Sequence, residues 1–263
     1  MGSATTQALA ASIKTLAAAK DVSLDTAREL FAAAGAVSGS SQLSGALADP
    51  SAPAAARQSV VAAVFGGFSA DALSVLKAAV AEHWSNAGEL VDGIEELAIR
   101  AAAIAEPGTD IEGELFSFSR VIATNPELEL ALGSRLGGEE AKVALVERLL
   151  GAGSTGAASK LIITSLVRQP RERRVRRLLN RAMSIVSSQR GRVVATVHTA
   201  AALSDAQRAR LSDSLSRRYA GQVSLNVVID PAVVGGLRVQ IADDVIDGSI
   251  SARLADLRQK LAG

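Results

Sequence analysis

The stretch VSLNVVIDPAVVGGLRVQIADDVIDGS, residues 223–249, decides how the C-terminal part of this chain folds. In its first part, strongly apolar side chains alternate with more polar or less buried ones. Alternation of this kind predicts a β-strand with one inward face. The predicted inward side chains are Val223, Leu225, Val227 and Ile229.

Turn-forming residues divide the rest of this stretch. Pro231 ends the strand because it has no N–H for a β-ladder, and it biases Asp230 away from helical geometry. Gly235 and Gly236 then open a second apolar segment, residues 237–241. A further turn is predicted at residues 243–244, and a final helix from residue 248 onwards. The pattern therefore predicts a compact β-hairpin followed by a helix.

A strand and a helix are predicted immediately upstream. Arg192–Thr199 reads RVVATVHT, a run typical of a strand. Ser204 is a predicted N-cap, and Gln207 stands where a capping box needs it. Leu215 marks the buried side of this helix, and Gly221 lies near its C-terminal end. Strand, helix and the strand at 223–229 together predict a βαβ unit.

The first 190 residues contain a degenerate duplication with a shift of about 85 positions. Each copy has the spacing of several short amphipathic helices, joined by short connections that suit antiparallel neighbours. The matched pairs include Leu30 with Leu115, Leu43 with Leu128, Val60 with Leu145, Leu76 with Leu161, and Ile94 with Leu179. Two similar helical bundles in tandem are the expected result.

The predicted fold class is mainly α, with two tandem helical bundles followed by a small C-terminal α/β domain that contains a β-hairpin. The sequence EPGTD at 106–110 has the composition of a linker. The predicted domains are therefore residues 1–106, 107–190 and 191–263.

Composition restricts the possible functions. The chain has no cysteine, which excludes disulfides, thiolate catalysis and cysteine-based zinc sites. Residues 1–110 carry 6 basic and 12 acidic side chains, whereas residues 111–263 carry 22 and 15. The two halves therefore differ in the sign of their charge. No stretch is long and apolar enough to predict a membrane-spanning helix.

One glycine motif resembles a dinucleotide-binding loop. Gly151, Gly153 and Gly156 form a literal GxGxxG. A dinucleotide site needs a strand before this motif and a helix after it. Residues 141–150 have helical spacing instead, so a loop between two helices is the favoured interpretation. A dinucleotide-dependent enzyme remains the weaker alternative.

The remaining polar candidates do not form a catalytic or metal-binding pattern. His83, predicted late in a helix, and His198, predicted in a strand, have no ligand partner at metal-binding spacing. Asp243, Asp244 and Asp247 lack the frame of a calcium loop, and turn formation explains them better. No catalytic residue, cofactor or metal site is predicted, and the chain is not expected to be an enzyme.

A run of arginines begins at Arg168. Its members are Arg168, Arg171, Arg173, Arg174, Arg176, Arg177, Arg181, Arg190 and Arg192. Binding to nucleic acid phosphates is one interpretation, but no aromatic side chain is interleaved with the arginines. A basic helix at 168–181 that meets an acidic protein partner is favoured. The matching segment of the first copy, residues 89–96, is acidic instead.

Residues 168–263 resemble the δ subunits of F-type ATP synthases, which are related to the mitochondrial oligomycin-sensitivity-conferring protein. The specific pattern is hydrophobic-Asp-x-x-hydrophobic-x-Gly-Gly, followed by a DGS turn and a terminal helix. Its residues are Ile229, Asp230, Val233, Gly235, Gly236, Asp247, Gly248 and Ser249. Ala242 departs mildly from the family pattern. The second bundle departs more, and it resembles the enlarged δ regions of actinobacteria.

The resemblance implies a stator without catalytic activity. It implies that an N-terminal bundle binds N-terminal segments of α subunits, and that the C-terminal domain binds the C-terminal end of a b-type stalk subunit. The chain is then expected in a hetero-oligomeric, proton-translocating complex on the cytoplasmic face of the membrane, peripheral and not inserted, without cofactor or nucleic acid. A nucleic-acid-binding adaptor that uses the basic run is the alternative.

Three groups of residues are candidate partner contacts, and which bundle performs the ordinary bundle's task stays open. The first group, in a groove of the first bundle, is Phe31, Val64, Leu76 and Trp84. The second, on the basic helix, is Arg171, Arg174 and Arg177. The third, on the final helix, is Leu254, Leu257 and Leu261, which equally suit a core. Asp230, Gly235, Gly236, Asp247, Gly248 and Ser249 form the structural signature of the resemblance. Within it, Gly235 and Gly236 are interpreted as residues of backbone geometry and not as contacts.

Overall fold

A computed structural model describes residues 2–134, 138–151, 155–171, 173–219, 221–231, 233–241, 244–250 and 254. The chain divides into two compact units, Met1–Val186 and Ser187–Gly263. The predicted boundary at 190/191 lies close to this division. The predicted boundary at 106/107 falls inside the first unit.

The first unit is helical throughout. Its helices are α1 Ser3–Ala18, α2 Leu24–Gly39, α3 Ser41–Ala48, α4 Ala54–Phe65, α5 Ala70–Ala81, α6 Ala87–Ala105, α7 Ile111–Ala123, α8 Pro126–Gly133, α9 Glu139–Leu150, α10 Ala157–Arg168 and α11 Val175–Gln189, the last of which reaches the division between the units. Side-chain caps fix several starts, because a polar oxygen accepts an otherwise unpaired N–H. These caps are Ser23, Ser40, Ser69, Asn86 and Asp110.

The helices repeat in the same order, as the duplication predicts. Both bounds of α3 and α4 match those of α8 and α9 at a shift of 85. The buried positions of α5 and α10 match at a shift of 87, because the α9–α10 connection is longer than the α4–α5 connection. Leu76 therefore corresponds to the buried Ile163, and its predicted pairing with the half-buried Leu161 is wrong.

Helix α6 belongs to both copies. At a shift of 85, α1 falls on residues 88–103, within α6, so the last helix of the first copy is also the first helix of the second. It packs against α1, α2, α3, α5 and α10. Every residue from 93 to 103 is buried, as expected of a helix surrounded by neighbours. The segment 106–110 is a connection, but the second copy begins before it.

The second unit contains a four-stranded mixed sheet. Its elements are β1 Arg192–Thr199, α12 Asp205–Arg218, β2 Gln222–Ile229, β3 Leu237–Ile241 and β4 Asp244–Asp247. The strand order is β2-β1-β3-β4, and β1 pairs with β2 in parallel and with β3 antiparallel. The predicted βαβ unit is confirmed. So is the capping box, in which the Gln207 N–H donates to Ser204 Oγ at 3.3 Å.

The predicted hairpin was misplaced. β1 lies between β2 and β3, and the hairpin is formed by β3 with β4, a strand that the sequence did not predict. The helical crossover places β2 on one edge of β1, and the other edge then pairs with β3. Asp244 consequently lies in β4 and not in a turn. Ile229, predicted to face inward, ends β2 and is 54% exposed.

The two units have separate cores. The second is built from Ala195, Val197, Leu215, Val223, Val239 and Ile241. Of the final helix, residues 250 and 254 are described and are helical, whereas Leu257 and Leu261 lie outside the described residues. Within the described ranges, no helix has the length and apolarity needed to cross a bilayer.

Candidate partner-binding surfaces

The glycine pair of the C-terminal motif lies where two chain segments cross. The Gly248 N–H donates to the Leu237 carbonyl at 2.8 Å, and the Ile250 N–H donates to the Gly235 carbonyl at 3.0 Å. Gly236 has φ +81°, and a Cβ there would lie 2.5 Å from the Gly248 carbonyl oxygen. Glycine is needed both for this backbone conformation and for this close approach. The pair thus shapes the backbone.

The aspartates of the same motif hold turns. Asp247 Oδ1 accepts the Ser249 N–H at 2.9 Å. Hydrogen bonds from the Ser249 hydroxyl and then from its N–H lower the pKa of Asp247 below its usual value. The Asp230 N–H donates to the Thr199 carbonyl at 2.8 Å, and the Asp230 carboxylate lies 3.6 Å from His198 Nδ1. No cluster suited to a metal ion occurs among the residues searched, which are the described ones.

Large apolar side chains remain exposed around this crossing. Val234 is 75% exposed, and Ile250 and Leu254 are each 49% exposed. Ile250 packs over Gly235, since a Cβ on that glycine would lie 2.7 Å from Ile250 Cδ1. Leu254 is helical like Ile250 and follows it by four positions, the spacing of neighbours on one helix face, and we call Val234, Ile250 and Leu254 the crossing patch. Apolar side chains exposed together mark candidate interaction sites.

The predicted basic helix at 168–181 is interrupted. Arg168 is the last residue of α10, and α11 begins only at Val175. Pro170 explains the break, because it disfavours helical geometry at the residue before it and has no N–H to continue the helix. Arg171, in the connection, has φ +48°.

Three arginines of this region bind the chain's own acidic helix. Arg171 Nη2 lies 2.6 Å from Asp92 Oδ1 and 2.8 Å from Glu95 Oε2. Arg173 Nη2 lies 2.8 Å from the same Glu95 oxygen. The predicted external acidic partner of Arg171 is therefore corrected to α6, the helix shared by the two copies. We call the group the ion cluster; it comprises Arg171, Arg173 and Arg181 with Asp92, Glu95 and Glu96.

Arg174 and Arg177 are exposed and form no described ion pair with the acidic residues of this cluster. Arg174 lines a cleft of about 680 Å³ beside α8, together with Arg173. Leu130 also lines it, and 74% of this leucine is exposed. We call this cleft the α8 groove; its lining residues are Pro126, Glu129, Leu130, Gly133, Ser134, Arg173 and Arg174.

The candidates in the first copy separate into core and surface. Leu76 and Trp84 are 1% and 4% exposed, and the Trp84 indole N–H donates to the Ala79 carbonyl at 2.7 Å. Both side chains are turned into the bundle, so their prediction as partner contacts is corrected to a packing role. Val64 is 51% exposed, and Phe31 is half-buried in a cleft between α2 and α9–α10.

Two further predictions concern possible chemistry. Helix α9 ends at Leu150 and α10 begins at Ala157, so a helix, not a strand, precedes the glycine motif, and the dinucleotide alternative is excluded. Residues 152–154 lie outside the described ranges. His83 follows the end of α5 at Ala81, so its predicted helical position is wrong.

Comparison with known proteins decides the family. The profile of the ATP synthase delta (OSCP) subunit matches residues 97–261. The ATP synthase subunit delta of Leifsonia xyli subsp. xyli (strain CTCB07) is 46% identical over 100% of both chains. That of Streptomyces griseus subsp. griseus is 35% identical over 100% of both. That of Nocardia farcinica is 38% identical over 94% of this chain and 93% of its own.

The chain belongs to the ATP synthase delta (OSCP) subunit family. It is therefore a non-catalytic component of the peripheral stalk of an F-type ATP synthase, peripheral on the cytoplasmic face of the membrane. Among solved structures, a chain of the Toxoplasma gondii mitochondrial ATP synthase hexamer is 18% identical, with a TM-score of 0.38 over 64% of this chain and 97% of that chain.

The family match also separates the two copies. It begins at Leu97, inside the shared helix α6, and covers the rest of the second copy and the C-terminal unit as far as residue 261. Helices α1–α5 precede it, although the Leifsonia and Streptomyces relatives match over this region too.

The α8 groove was not predicted from the sequence. A signal was present, because Leu130 is out of phase with the helical face formed by Leu128 and Leu132.

Proposed function

We propose that this stalk protein links the catalytic head to the b-type subunit by binding one with each of its two units. The helical unit binds N-terminal segments of α subunits, and the C-terminal unit binds the C-terminal end of b. The observation that carries the proposal is the division of a delta-family chain into two compact units, each with its own core. A link needs two ends that fold separately and present different surfaces.

We assign the head contact to the second copy within the helical unit. The family profile covers that copy and begins only inside α6. Much of α6 is covered by α1, α2 and α3 of the first copy, which thereby brace it. On the C-terminal unit, the crossing patch offers apolar side chains to an amphipathic helix of the stalk.

The nucleic-acid alternative is not retained. Arg171, Arg173 and Arg181 form ion pairs with acidic side chains of α6, so their charges are compensated within the chain.

A stalk protein also needs slow dissociation from its partners. Nanomolar affinity corresponds to about −12 kcal/mol, and buried apolar anchors with charged rims are the usual source of such binding.

The test uses the full chain and two fluorescent peptides, one from the N-terminus of the α subunit and one from the C-terminus of the b-type stalk protein. We expect both peptides to bind, and to bind together in a ternary complex. Leu254→Asp should weaken the b peptide at least tenfold and leave the α peptide unchanged. Val245→Asp is the matched control, since Val245 is 45% exposed on β4. Failure of the chain to bind either peptide, or competition between the two, contradicts the link.

A further inference from the structure

We propose that the α8 groove is a docking site for an acidic, apolar-anchored segment of the catalytic head. The inference rests on the proposed function, which brings the second copy to the head, and it names the surface that makes the contact. The apolar element of the groove is Leu130, of which 74% is exposed although it lies in a helix packed on the core. A leucine so exposed at the wall of a cleft of about 680 Å³ fits an apolar side chain from a partner.

The charges of the groove favour an acidic partner. Arg174 at the rim and the neighbouring Arg177 are exposed and form no ion pair within the part of the chain that the structure describes. Arg173, also in the lining, forms an ion pair with Glu95 at 2.8 Å. Arg176 Nε is fixed by Glu129 Oε2 at 2.7 Å. The connection and the first turn of α11 are therefore held in place, while Arg174 and Arg177 remain exposed.

A buried acceptor also lies in the wall. Glu129 Oε1 is shielded from solvent and has no hydrogen-bond partner among the described residues, although its other oxygen binds Arg176. Because this oxygen has no accessible surface, a bound segment would not reach it. Glu129 contributes to the wall by holding Arg176 through its other carboxylate oxygen, at 2.7 Å.

The duplication supplies an internal comparison. The buried Val175 and Leu179 of α11 match the buried Leu90 and Ile94 of α6 at a shift of 85, so the register of 85 holds again after α10. At this shift, Leu130 corresponds to Gly45, and Arg174 and Arg177 correspond to Glu89 and Asp92. The corresponding helices α3 and α8 nevertheless keep their packing leucine, since Leu47 and Leu132 are 1% and 0% exposed. If Leu130 and the two arginines were needed to hold this bundle together, the first copy would need them too. Their presence in the second copy alone points to a partner that only this copy binds.

The expected partner is an amphipathic segment that places one branched apolar side chain against Leu130 and carboxylates near Arg174 and Arg177. Because the arginines are exposed, their contribution is screened by salt and acts mainly on the rate of association. The leucine acts mainly on dissociation.

The test measures binding of the full-length chain to purified catalytic head depleted of it, by biolayer interferometry at two salt concentrations. Arg174→Glu introduces the negative charge that the first copy carries at the corresponding position, Glu89. We expect at least tenfold weaker binding and a smaller loss of affinity with added salt than in the wild type. Leu130→Gln should weaken binding to a similar extent through faster dissociation, and Leu130→Met should restore it. Both positions are exposed, and an unchanged circular dichroism melting curve shows that the fold is intact.

Arg148→Glu is the matched control, because it makes the same charge change at an exposed position of α9. Val64→Asp tests the rival contact, since Val64 is the exposed candidate of the first copy. If the contact lies on the second copy, both variants bind like the wild type. If the wild type binds the head and neither Arg174→Glu nor Leu130→Gln weakens this binding, the groove assignment is wrong and the proposed function stands. Loss in Val64→Asp moves the contact to the first copy and also overturns the groove assignment. If the wild type does not bind the head, the proposed function itself fails.

Discussion

The side chain of Trp84 packs directly against the backbone of Gly93. The indole ring lies directly on Gly93 of α6, closer than a methyl group at that glycine would allow. Glycine inside a helix usually costs about 1 kcal/mol relative to alanine. Gly93→Ala should nevertheless lower the free energy of unfolding by about 1–3 kcal/mol, because the added methyl overlaps a buried ring. Urea denaturation measures the change.

Gly45→Ala is the control for that substitution. Gly45 lies within α3, and nothing lies within 4 Å of the position that its Cβ would take. Alanine there should stabilise the chain by about 0.5–1 kcal/mol through the unfolded state. Equal effects at the two glycines would show that Trp84 does not constrain Gly93.

Asp247 gives a prediction on pH. The Ser249 hydroxyl and N–H lower the pKa of the Asp247 carboxyl in the folded chain, whereas an unfolded Asp has a pKa of about 3.9. Its charge therefore stabilises the fold above about pH 4, and this contribution is lost as pH falls through the folded pKa. Asp247→Asn should melt below the wild type at pH 7, with a difference that shrinks below pH 4. A folded pKa at or above the unfolded value, from NMR titration, would refute this.

The ion cluster holds helices together. It attaches the α10–α11 connection and α11 to the helix shared by both copies. Glu95 is the central acceptor, with a side chain 9% exposed and contacts to both Arg171 and Arg173. Glu95→Gln should lower the free energy of unfolding by about 1–3 kcal/mol, because two half-buried guanidinium groups lose a charged partner.

The exposed pair of Asp25 with Arg28 is the comparison for Glu95. Its side chains are 79% and 61% exposed, so solvent screens the interaction. Asp25→Asn should change the free energy of unfolding by less than about 1 kcal/mol. Chemical denaturation of both variants in one buffer makes the comparison, and similar losses would mean that the ion cluster contributes no more than a surface pair.

The shared helix α6 should couple the unfolding of the two copies. Because α6 belongs to both copies, the two copies should unfold together. Val61→Ala in the first copy and Val146→Ala at the equivalent position in the second each remove part of a fully buried side chain. Both should shift the same calorimetric transition, by about 1–3 kcal/mol.

The C-terminal unit should respond separately. Val197→Ala, in its own core, should move a second transition and leave the first in place. Independent shifts for Val61→Ala and Val146→Ala would show that the copies are separate domains, as a boundary at residue 106 predicts. A single transition for all three variants would show that the two units unfold as one.

Local sequence determined the elements and the family. The strand Arg192–Thr199, the capping box of Ser204 and Gln207, and the repeat with its shift of 85 were all readable, because they depend on side-chain periodicity and contacts a few residues apart. The motif around Gly235 and Gly236 sufficed for the resemblance to the delta family, which the comparisons confirm.

Tertiary structure alone decided which elements are neighbours. The pairing of β1 with β3, the double membership of α6, and the ion pairs of Arg171 with Asp92 and Glu95 join residues distant in sequence. It also separated the buried Trp84 from the exposed Leu130, although both are large apolar residues in or beside short helices. Periodicity shows that a residue lies on a helix face, but only the packed neighbours determine whether that face meets another helix, an opposite charge or solvent.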